Sequence, residues 1–221
     1  PCGAFEIDEP QGEVARGGDT FSFSGSAAPV SKSLRTKKTK GYEKQSLKEI
    51  AGKVAAEHGL TLTGTPPDVT FERITQRRQR DLQFLSGLAN KFGAYFAVRG
   101  SQMVMIRRED VHGGKAVRAI DVDHPRLIRA SFKRSAHKTY SKAKGSYYDG
   151  KTKKNIEVEI EDKAVKTGDT LRVDDRVENA GQARAQTKSK LEKANLKKQT
   201  MTLEMVGDPY LCAGQVVEIG A

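Results

Sequence analysis

The chain has 221 residues, which is enough for two small domains or one domain of about 200 residues. Hydrophobic residues make up 36% of it and charged residues 30%, so we expect a thin core or one that partner chains complete. No stretch approaches the roughly 18 consecutive apolar residues of a membrane span. The formal net charge of +11 favours anionic partners and says little about the fold.

The first 30 residues predict strands around a glycine turn. Residues 4–8 alternate apolar and polar, and residues 20–25 form a second strand. Phe21 and Phe23 share one face of that strand, because side chains repeat every two residues. Small polar residues over 26–33 then indicate a linker.

A first helix is expected after a basic run at residues 32–44. Ser46 and Glu49 form a capping box, in which each side chain satisfies a free backbone N–H of the helix start. Apolar residues then follow at helical spacing, and Gly59 ends the helix by taking the left-handed conformation.

A second helix is expected over about residues 80–91, with Gly93 as its C-terminal stop. A hairpin follows, with strands at 94–98 and 103–106. The expected buried stripe of the helix is Leu82, Leu85, Leu88, Ala89 and Phe92, with Phe84 at its flank. These elements predict a compact α+β unit over about residues 42–108.

From residue 127 the pattern changes to strands. Residues 156–160 alternate without fault, so their apolar side faces a core and their glutamates face outward. A third helix begins near Asn179, which is a favourable N-cap. Further strands are expected at 127–132, 143–148, 170–173, 199–205 and 215–219.

No motif favours catalysis or metal binding over a structural interpretation. The carboxylate pairs Asp8/Glu9, Glu159/Glu161 and Asp174/Asp175 could support glycoside cleavage, but the second pair falls on the exposed side of a strand. Cys2 and Cys212 lack CxxC spacing, and the four histidines are scattered singly. We therefore expect no enzyme, no metal and no cofactor.

Three basic segments, at residues 32–44, 73–80 and 184–198, are candidate nucleic-acid contacts. Aromatic residues make up only 6% of the chain and fall in strands instead of between the basic residues. Reading of bases usually needs such aromatics or a recognition helix. We expect weak, salt-sensitive attraction to phosphate and no specific nucleic acid.

The segment from Gln76 to Gly93 resembles a run shared by phage tail hub proteins of the late control protein D family, and related spike-hub proteins of type VI secretion are similar there. In those sequences a glutamine precedes a "D-x-x-F-L-x-x-L-A" helix that ends at glycine before a hairpin. Residues 35–42 resemble the family's entrance to an inserted α+β domain, and residues 207–214 its closing "G-x-P-x-L-x-x-G" element. The likeness covers about residues 20–220, and its motif residues are Gln76, Asp81, Phe84, Leu85, Leu88, Ala89, Gly93, Gly207, Pro209 and Gly214.

The resemblance implies an α+β protein in which an antiparallel β-barrel of tail-tube type carries an α+β insertion domain of two helices and a hairpin. Residues 1–30 would be the final strands of a first β-barrel, whose remainder we expect to be missing because the chain begins with Pro-Cys-Gly. Residues 31–110 would be the insertion, 111–124 a linker and 125–221 a second β-barrel domain with one helix.

By the same resemblance the protein would be a structural part of a contractile phage or prophage tail. It would lie in the virion baseplate hub, after assembly in the bacterial cytoplasm, and would link tail tube to tail spike as a homotrimer without membrane insertion. The alternatives are a type VI secretion spike-hub component, a basic nucleic-acid-binding module and a hydrolase acting on cell wall.

Overall fold

The computed structural model describes residues 6–26, 36–123, 125–135, 139–149, 153–166, 168–175, 177–208, 210–211 and 213–220. The expectations for Cys2, Pro209, Cys212 and residues 4–5 lie outside these residues, as does the side chain of Asp8. The described residues form a mixed α+β fold that consists mostly of sheet.

Four helices occur in the described part of the chain: α1 (Leu47–Glu57), α2 (Asp81–Lys91), α3 (Arg108–His112) and α4 (Ala180–Asn195). The strands of the first half are β1 (Glu6–Glu13), β2 (Thr20–Ser26), β3 (Lys38–Ser46), β4 (Thr61–Thr63), β5 (Thr70–Gln79), β6 (Ala94–Arg99) and β7 (Gln102–Arg107). Those of the second half are β8 (Arg118–Asp121), β9 (Leu127–Arg134), β10 (Tyr140–Asp149), β11 (Lys154–Glu161), β12 (Asp169–Val173), β13 (Gln199–Met205) and β14 (Val217–Gly220).

Residues 36–112 form what we call the compact unit. Strand β3 pairs antiparallel with β5, while β7 lies between β4 and β6 in a second sheet. Helices α1 and α2 contribute their apolar faces to a core that both sheets complete. Burial of these faces stabilises the unit, because apolar side chains leave water.

The helix ends of the compact unit confirm the sequence prediction. Ser46 Oγ accepts from Glu49 N over 3.2 Å, and the Glu49 carboxylate accepts from Ser46 N over 2.7 Å, which completes the capping box. Gly59 and Gly93 follow α1 and α2 with φ of 66° and 81°, conformations that glycine adopts without steric cost.

The buried stripe of α2 differs from the prediction at two positions. Phe84, expected at the flank, is buried and stacks on Tyr42 with ring centroids 5.7 Å apart. Leu82, expected inside, is only partly buried. Strand β3 causes this shift, because it brings Tyr42 over the side of α2 that the sequence pattern left open.

Strands β3 and β5 were not predicted as strands. Their sequences are dominated by lysine, arginine and glutamate, and few of their side chains are buried. Lys44 and Arg78 also have positive φ, of 48° and 46°, which interrupts the two-residue repeat. The pairing of β3 with β5 is therefore set by tertiary packing on α1 and α2 and not by a strand pattern in either sequence.

Residues 118–220 form the strand-rich unit. Strand β10 pairs antiparallel with β11 and parallel with β12, and α4 packs across this sheet. Two separate pairs, β9 with β13 (antiparallel) and β8 with β14 (parallel), complete the unit. The alternation over 156–160 is confirmed, since Val158 is buried and the glutamates of β11 are exposed.

Helix α4 lies unusually close to β10. A Cβ on Gly145 would overlap Thr187 Oγ1, and Thr187 is almost fully buried. Only glycine permits this approach of strand and helix. The predicted N-cap is confirmed, because Asn179 Oδ1 accepts from Gln182 N over 2.9 Å.

Candidate functional site

Three side chains from outside α2 converge on one buried carboxylate, that of the motif residue Asp81. Asp81, the first residue of the helix, accepts a hydrogen bond from Lys38 Nζ over 2.6 Å, and His58 Nε2 lies 2.7 Å from the same oxygen. Its other oxygen accepts from Gln76 Nε2 over 2.7 Å, and the same amide donates to the carbonyl of Gln79 over 2.9 Å. The Gln76 and Asp81 positions of the motif are thus direct partners.

The charge on Asp81 is held in place by its surroundings. Burial alone would raise the pKa of Asp81, but hydrogen bonds from Lys38, Gln76 and His58 lower it below its ordinary value. The same contact with Asp81 raises the pKa of Lys38 against the opposing effect of burial. Asp81 therefore stays ionised at neutral pH, near the positive end of the α2 dipole.

The carboxylate and the imidazole of this cluster are buried, while Lys38 reaches it from the surface. The side chains of Asp81 and His58 are only 2% and 1% exposed. Two further buried atoms, Tyr42 Oη and Gln76 Oε1, have no hydrogen-bond partner among the described residues. The hydrogen bonds of Asp81 join β3, through Lys38, and β5, through Gln76, to the start of α2, and His58 at the end of α1 completes the cluster.

Gly93, the last residue of the α2 motif, lies at the junction between the two units. A Cβ at Gly93 would lie 3.3 Å from Ser189 Cβ of α4, closer than nearly all real contacts. Beside it the buried Arg108 donates to Ser189 Oγ over 3.2 Å and to the carbonyl of Asn90 over 3.3 Å. Ser189 Oγ in turn donates to the carbonyl of Asn90 over 3.1 Å.

The start of α4 makes the second half of this junction. The carbonyl of Thr70 in β5 accepts from Gln182 Nε2 over 2.7 Å and from Asn179 Nδ2 over 3.3 Å. Glu72 N donates to the carboxylate of Glu178 over 3.0 Å. Helix α4 is therefore held by the compact unit at its start and, further along, at Ser189.

The closing motif lies against the hairpin of the compact unit. Gly214 has φ of 90°, and the carbonyl of the preceding Ala213 accepts from Arg99 Nη2 over 2.8 Å. Gly207 has an ordinary φ, and its neighbour Asp208 pairs with Arg118 of β8. Two of the motif segments therefore reach contacts between the two units. The segment over 76–93 does so where Gly93 meets α4, and the segment over 207–214 does so at the hairpin.

Of the carboxylate pairs that could support catalysis, Glu159 and Glu161 are both bound to lysines. Lys142 lies 2.8 Å from Glu161 and 3.0 Å from Glu159, and Lys144 lies 3.1 Å from Glu159. Hydrogen bonds to Glu161 and Glu159 raise the pKa of Lys142 to about 12. Hydrogen bonds from Lys142 and Lys144 lower the pKa of Glu159, opposite to the raised pKa that a general acid requires.

Asp174 and Asp175 line an open cleft of about 600 Å³ beside Tyr147 and Tyr148. The carboxylate of Asp175 accepts from the side chains of Gln186 and Lys190. Within the described ranges no group of three or more potential metal ligands occurs. None of the helices among those ranges is long and apolar enough to cross a membrane.

Two strand pairs expose apolar faces. Phe21 and Phe23 of β2, 72% and 66% exposed, lie beside Ile7 of β1 on one face. In the other pair Phe132 of β9 stands opposite Met201 of β13, and Phe132 is 67% exposed. We call these faces the first and second apolar faces.

Sequence reasoning missed the partners Lys38, His58, Arg108 and Ser189. In the sequence Lys38 is one of six cations in a basic run, so nothing distinguishes it from its neighbours. His58 has no second histidine at metal-site spacing, so the sequence does not indicate what it contacts. A helix whose weakly apolar stripe is bordered by glutamine, threonine and serine is expected to be buried against polar groups. Helix α4 has this pattern, which could have indicated that it lies between the two units.

Neither a family model nor a curated protein matches the chain. The fold is similar to that of a tail protein from Neisseria meningitidis MC58, with 14% identity and a TM-score of 0.68 over 99% of this chain and 70% of that one. The 43 kDa tail protein of prophage MuSo2 from Shewanella oneidensis gives 15% identity and a TM-score of 0.69, over 96% and 67%.

The prophage tail protein gp18 from Listeria monocytogenes EGD-e is also similar, with 13% identity and a TM-score of 0.58 over 93% of this chain and 64% of that one. This chain therefore spans about two thirds of the length of each of these proteins. At such low identity the likeness establishes that the chain has the fold of phage tail proteins.

Proposed function

We propose that the protein is a structural component of a phage or prophage contractile tail, placed in the baseplate hub between tail tube and spike. The observation that carries this proposal is the fold similarity to two tail proteins over 96% or more of the chain, at TM-scores of 0.68 and 0.69. Fold alone does not determine function, so the role in the assembly needs its own support.

The two apolar faces support an assembly role. Phe21, Phe23 and Phe132 are each more than 60% exposed, although a soluble monomer rarely leaves contiguous apolar patches open. Strand pairs that carry one polar and one apolar face need a partner on the apolar side. We propose that other subunits of a homotrimer cover these faces and that the strands of residues 118–220 belong to a barrel of tail-tube type. The expected all-antiparallel pairing does not hold there, because β8 pairs with β14 and β10 with β12 in parallel.

The trimer is tested by light scattering after size exclusion over a range of concentrations. A mass near three times 24.2 kDa is expected at high concentration. Phe132→Ser is expected to lower it towards the monomer, whereas Val117→Ser, an equally exposed site outside both faces, leaves it unchanged. A monomer at every concentration, or equal effects of both variants, would contradict the proposed trimer.

The tail role is tested separately, by deleting the coding sequence in the cell that produces the protein. Electron microscopy is expected to show no complete tails, and complementation is expected to restore them. Normal tails in the deletion strain would rule out a hub component.

We further propose that the protein is not an enzyme. The hydrogen bonds from Lys142 and Lys144 to Glu159 support this for one carboxylate pair, because they lower the pKa of Glu159 and so oppose the protonation that a general acid in glycoside cleavage requires. A peptidoglycan zymogram is expected to show no clearing, and a cleared band would refute the proposal.

A further inference from the structure

One end of the β3–β5 strand pair presents a concentrated positive charge. Lys37, Arg77, Arg78 and Arg80 are all exposed there. Lys38 pairs with Gln79 across the strands, so the ends of the two strands lie side by side. We call these four residues the basic end.

Charge pairing changes sharply along this strand pair. Farther along it, Lys38 and Lys40 contact Glu57, Lys38 also contacts Asp81, and Arg73 lies 3.7 Å from Glu43. The four residues of the basic end pair with no carboxylate among the described residues. Their charges are therefore available to a partner, while those of Lys38 and Lys40 are paired with carboxylates within the chain.

The backbone places two successive arginines outward at this end. Lys38 pairs with Gln79 and Lys40 with Gln76, so the single residue Thr39 opposes both Arg77 and Arg78 in a β-bulge. Arg78 has φ of 46°, a conformation that costs a non-glycine residue free energy. Its N–H is held by Thr39 Oγ1 over 3.2 Å. In a regular strand adjacent side chains would point to opposite faces.

Guanidinium groups bind carboxylates and phosphates through paired hydrogen bonds. Two observations favour carboxylates. The basic end is short, because the next cations along the strands, Lys38 and Lys40, are already paired with carboxylates. It therefore does not form the long row of free cations that a phosphate backbone would contact. The aromatic residues of this region, Tyr42, Phe71 and Phe84, are buried and cannot stack on bases.

We propose that the basic end is a docking surface for an acidic patch on a partner protein. This interaction surface goes beyond the tail role and does not depend on it. Three arginines in one patch suit a cluster of aspartate and glutamate side chains, with selectivity supplied by charge complementarity.

The proposal is tested with a fluorescent peptide of eight alternating aspartate and glutamate residues, followed by anisotropy at physiological salt. The patch variant carries Arg77→Gln, Arg78→Gly and Arg80→Gln, in which glycine accepts the positive φ of position 78. The control variant carries Lys115→Gln, Lys163→Gln and Lys166→Gln, three exposed sites elsewhere with the same loss of charge. Circular dichroism confirms that both variants fold.

We expect the patch variant to weaken peptide binding at least about tenfold, which corresponds to losing three partly exposed ion pairs. The control variant should change it less than about twofold. Equal losses of peptide affinity in both variants would show that net charge alone explains the binding, and this would overturn the proposal. Absence of peptide binding to the unmodified protein would overturn it too. Tighter patch-dependent binding of a 20-base-pair DNA would assign the surface to phosphate and overturn it as well.

Discussion

The compact unit and the strand-rich unit bury their apolar residues very differently. The core of the compact unit contains 18 buried apolar side chains among the described residues, from Tyr42 to Met105. The cluster between α4 and the β10–β11 sheet contains three: Tyr147, Val158 and Ala183. Burial of apolar surface is the main favourable contribution to folding. The compact unit thus has its own core, while the strand-rich unit relies on α4 and on surfaces that partners can cover.

The largest test of this contrast is Leu85→Ala, which empties the centre of the first core. Leu85 is fully buried, so we expect the free energy of unfolding to fall by about 2–5 kcal/mol. Val158→Ala in the second cluster is expected to cost only about 1–2 kcal/mol. Urea unfolding measures the change in unfolding free energy for both variants. Hydrogen exchange should show that the protection lost in Leu85→Ala falls within residues 38–107. Equal costs would remove the distinction between the units.

A second test removes the buried charge of the compact unit. Asp81→Asn removes the nearer of the two carboxylates that pair with Lys38 and the charge that accepts from Gln76, so it is expected to destabilise the protein by about 2–4 kcal/mol at pH 7. Asp68→Asn, at an exposed aspartate of the same unit, serves as the control and should have little effect.

The pH dependence follows from the same carboxylate. The pKa of Asp81 is lowered in the folded protein, so its contribution is present above the unfolded value of about 3.9 and is lost as pH falls through the folded one. The pKa of Lys38 is raised, so its contribution is lost only above about pH 10. Urea unfolding from pH 7 to pH 2 should show a shallower acid decline in Asp81→Asn, and an unchanged decline would contradict this assignment.

A third test addresses the contact of α4 with the strand-rich unit. Gly145→Ala introduces a Cβ against Thr187 Oγ1 and is expected to cost about 1–3 kcal/mol. Adding Thr187→Ala removes the clashing oxygen and should restore part of the loss in a double-mutant cycle. Additive costs would show that the close approach is not the cause.

The smallest test has the opposite sign. Gly87 is exposed in the middle of α2, and a Cβ there meets no atom within 4 Å. Gly87→Ala should therefore raise the free energy of unfolding by about 0.5–1 kcal/mol, because alanine restricts the unfolded chain and favours helix. Thermal denaturation of Gly87→Ala and Gly145→Ala compares the same substitution in the two units. A lower melting temperature for Gly87→Ala would contradict the expected gain in stability.

Much of the secondary structure could be predicted because its signals are local. The capping box at Ser46, the glycines after α1 and α2 and the alternation over 156–160 depend on residues close in sequence, and each is confirmed. Strands β3 and β5 were missed because their partners, not their own residues, define them. The contact of Asp81 with Lys38 likewise depends on where β3 lies beside α2.

The positions of the motif residues were recognisable in the sequence, but the reason for them was not. Gly93 reads as a helix stop, and its second role against Ser189 arises from a contact across 96 positions in the chain. Arg108 reads as one more surface cation, although it is buried at the junction. Contacts of such long range leave no periodic trace in the sequence.

The junction at Arg108 also has a consequence for the order of events during synthesis. Its guanidinium reaches Ser189, which the ribosome adds 81 residues later. At the usual rates of translation this is a delay of about 4–16 s, far longer than a helical unit needs to collapse. The Arg108 Nη1 group, whose partner is Ser189, must stay hydrated during that interval. Helix α4 would then dock onto a folded compact unit and bring the β10–β11 sheet with it.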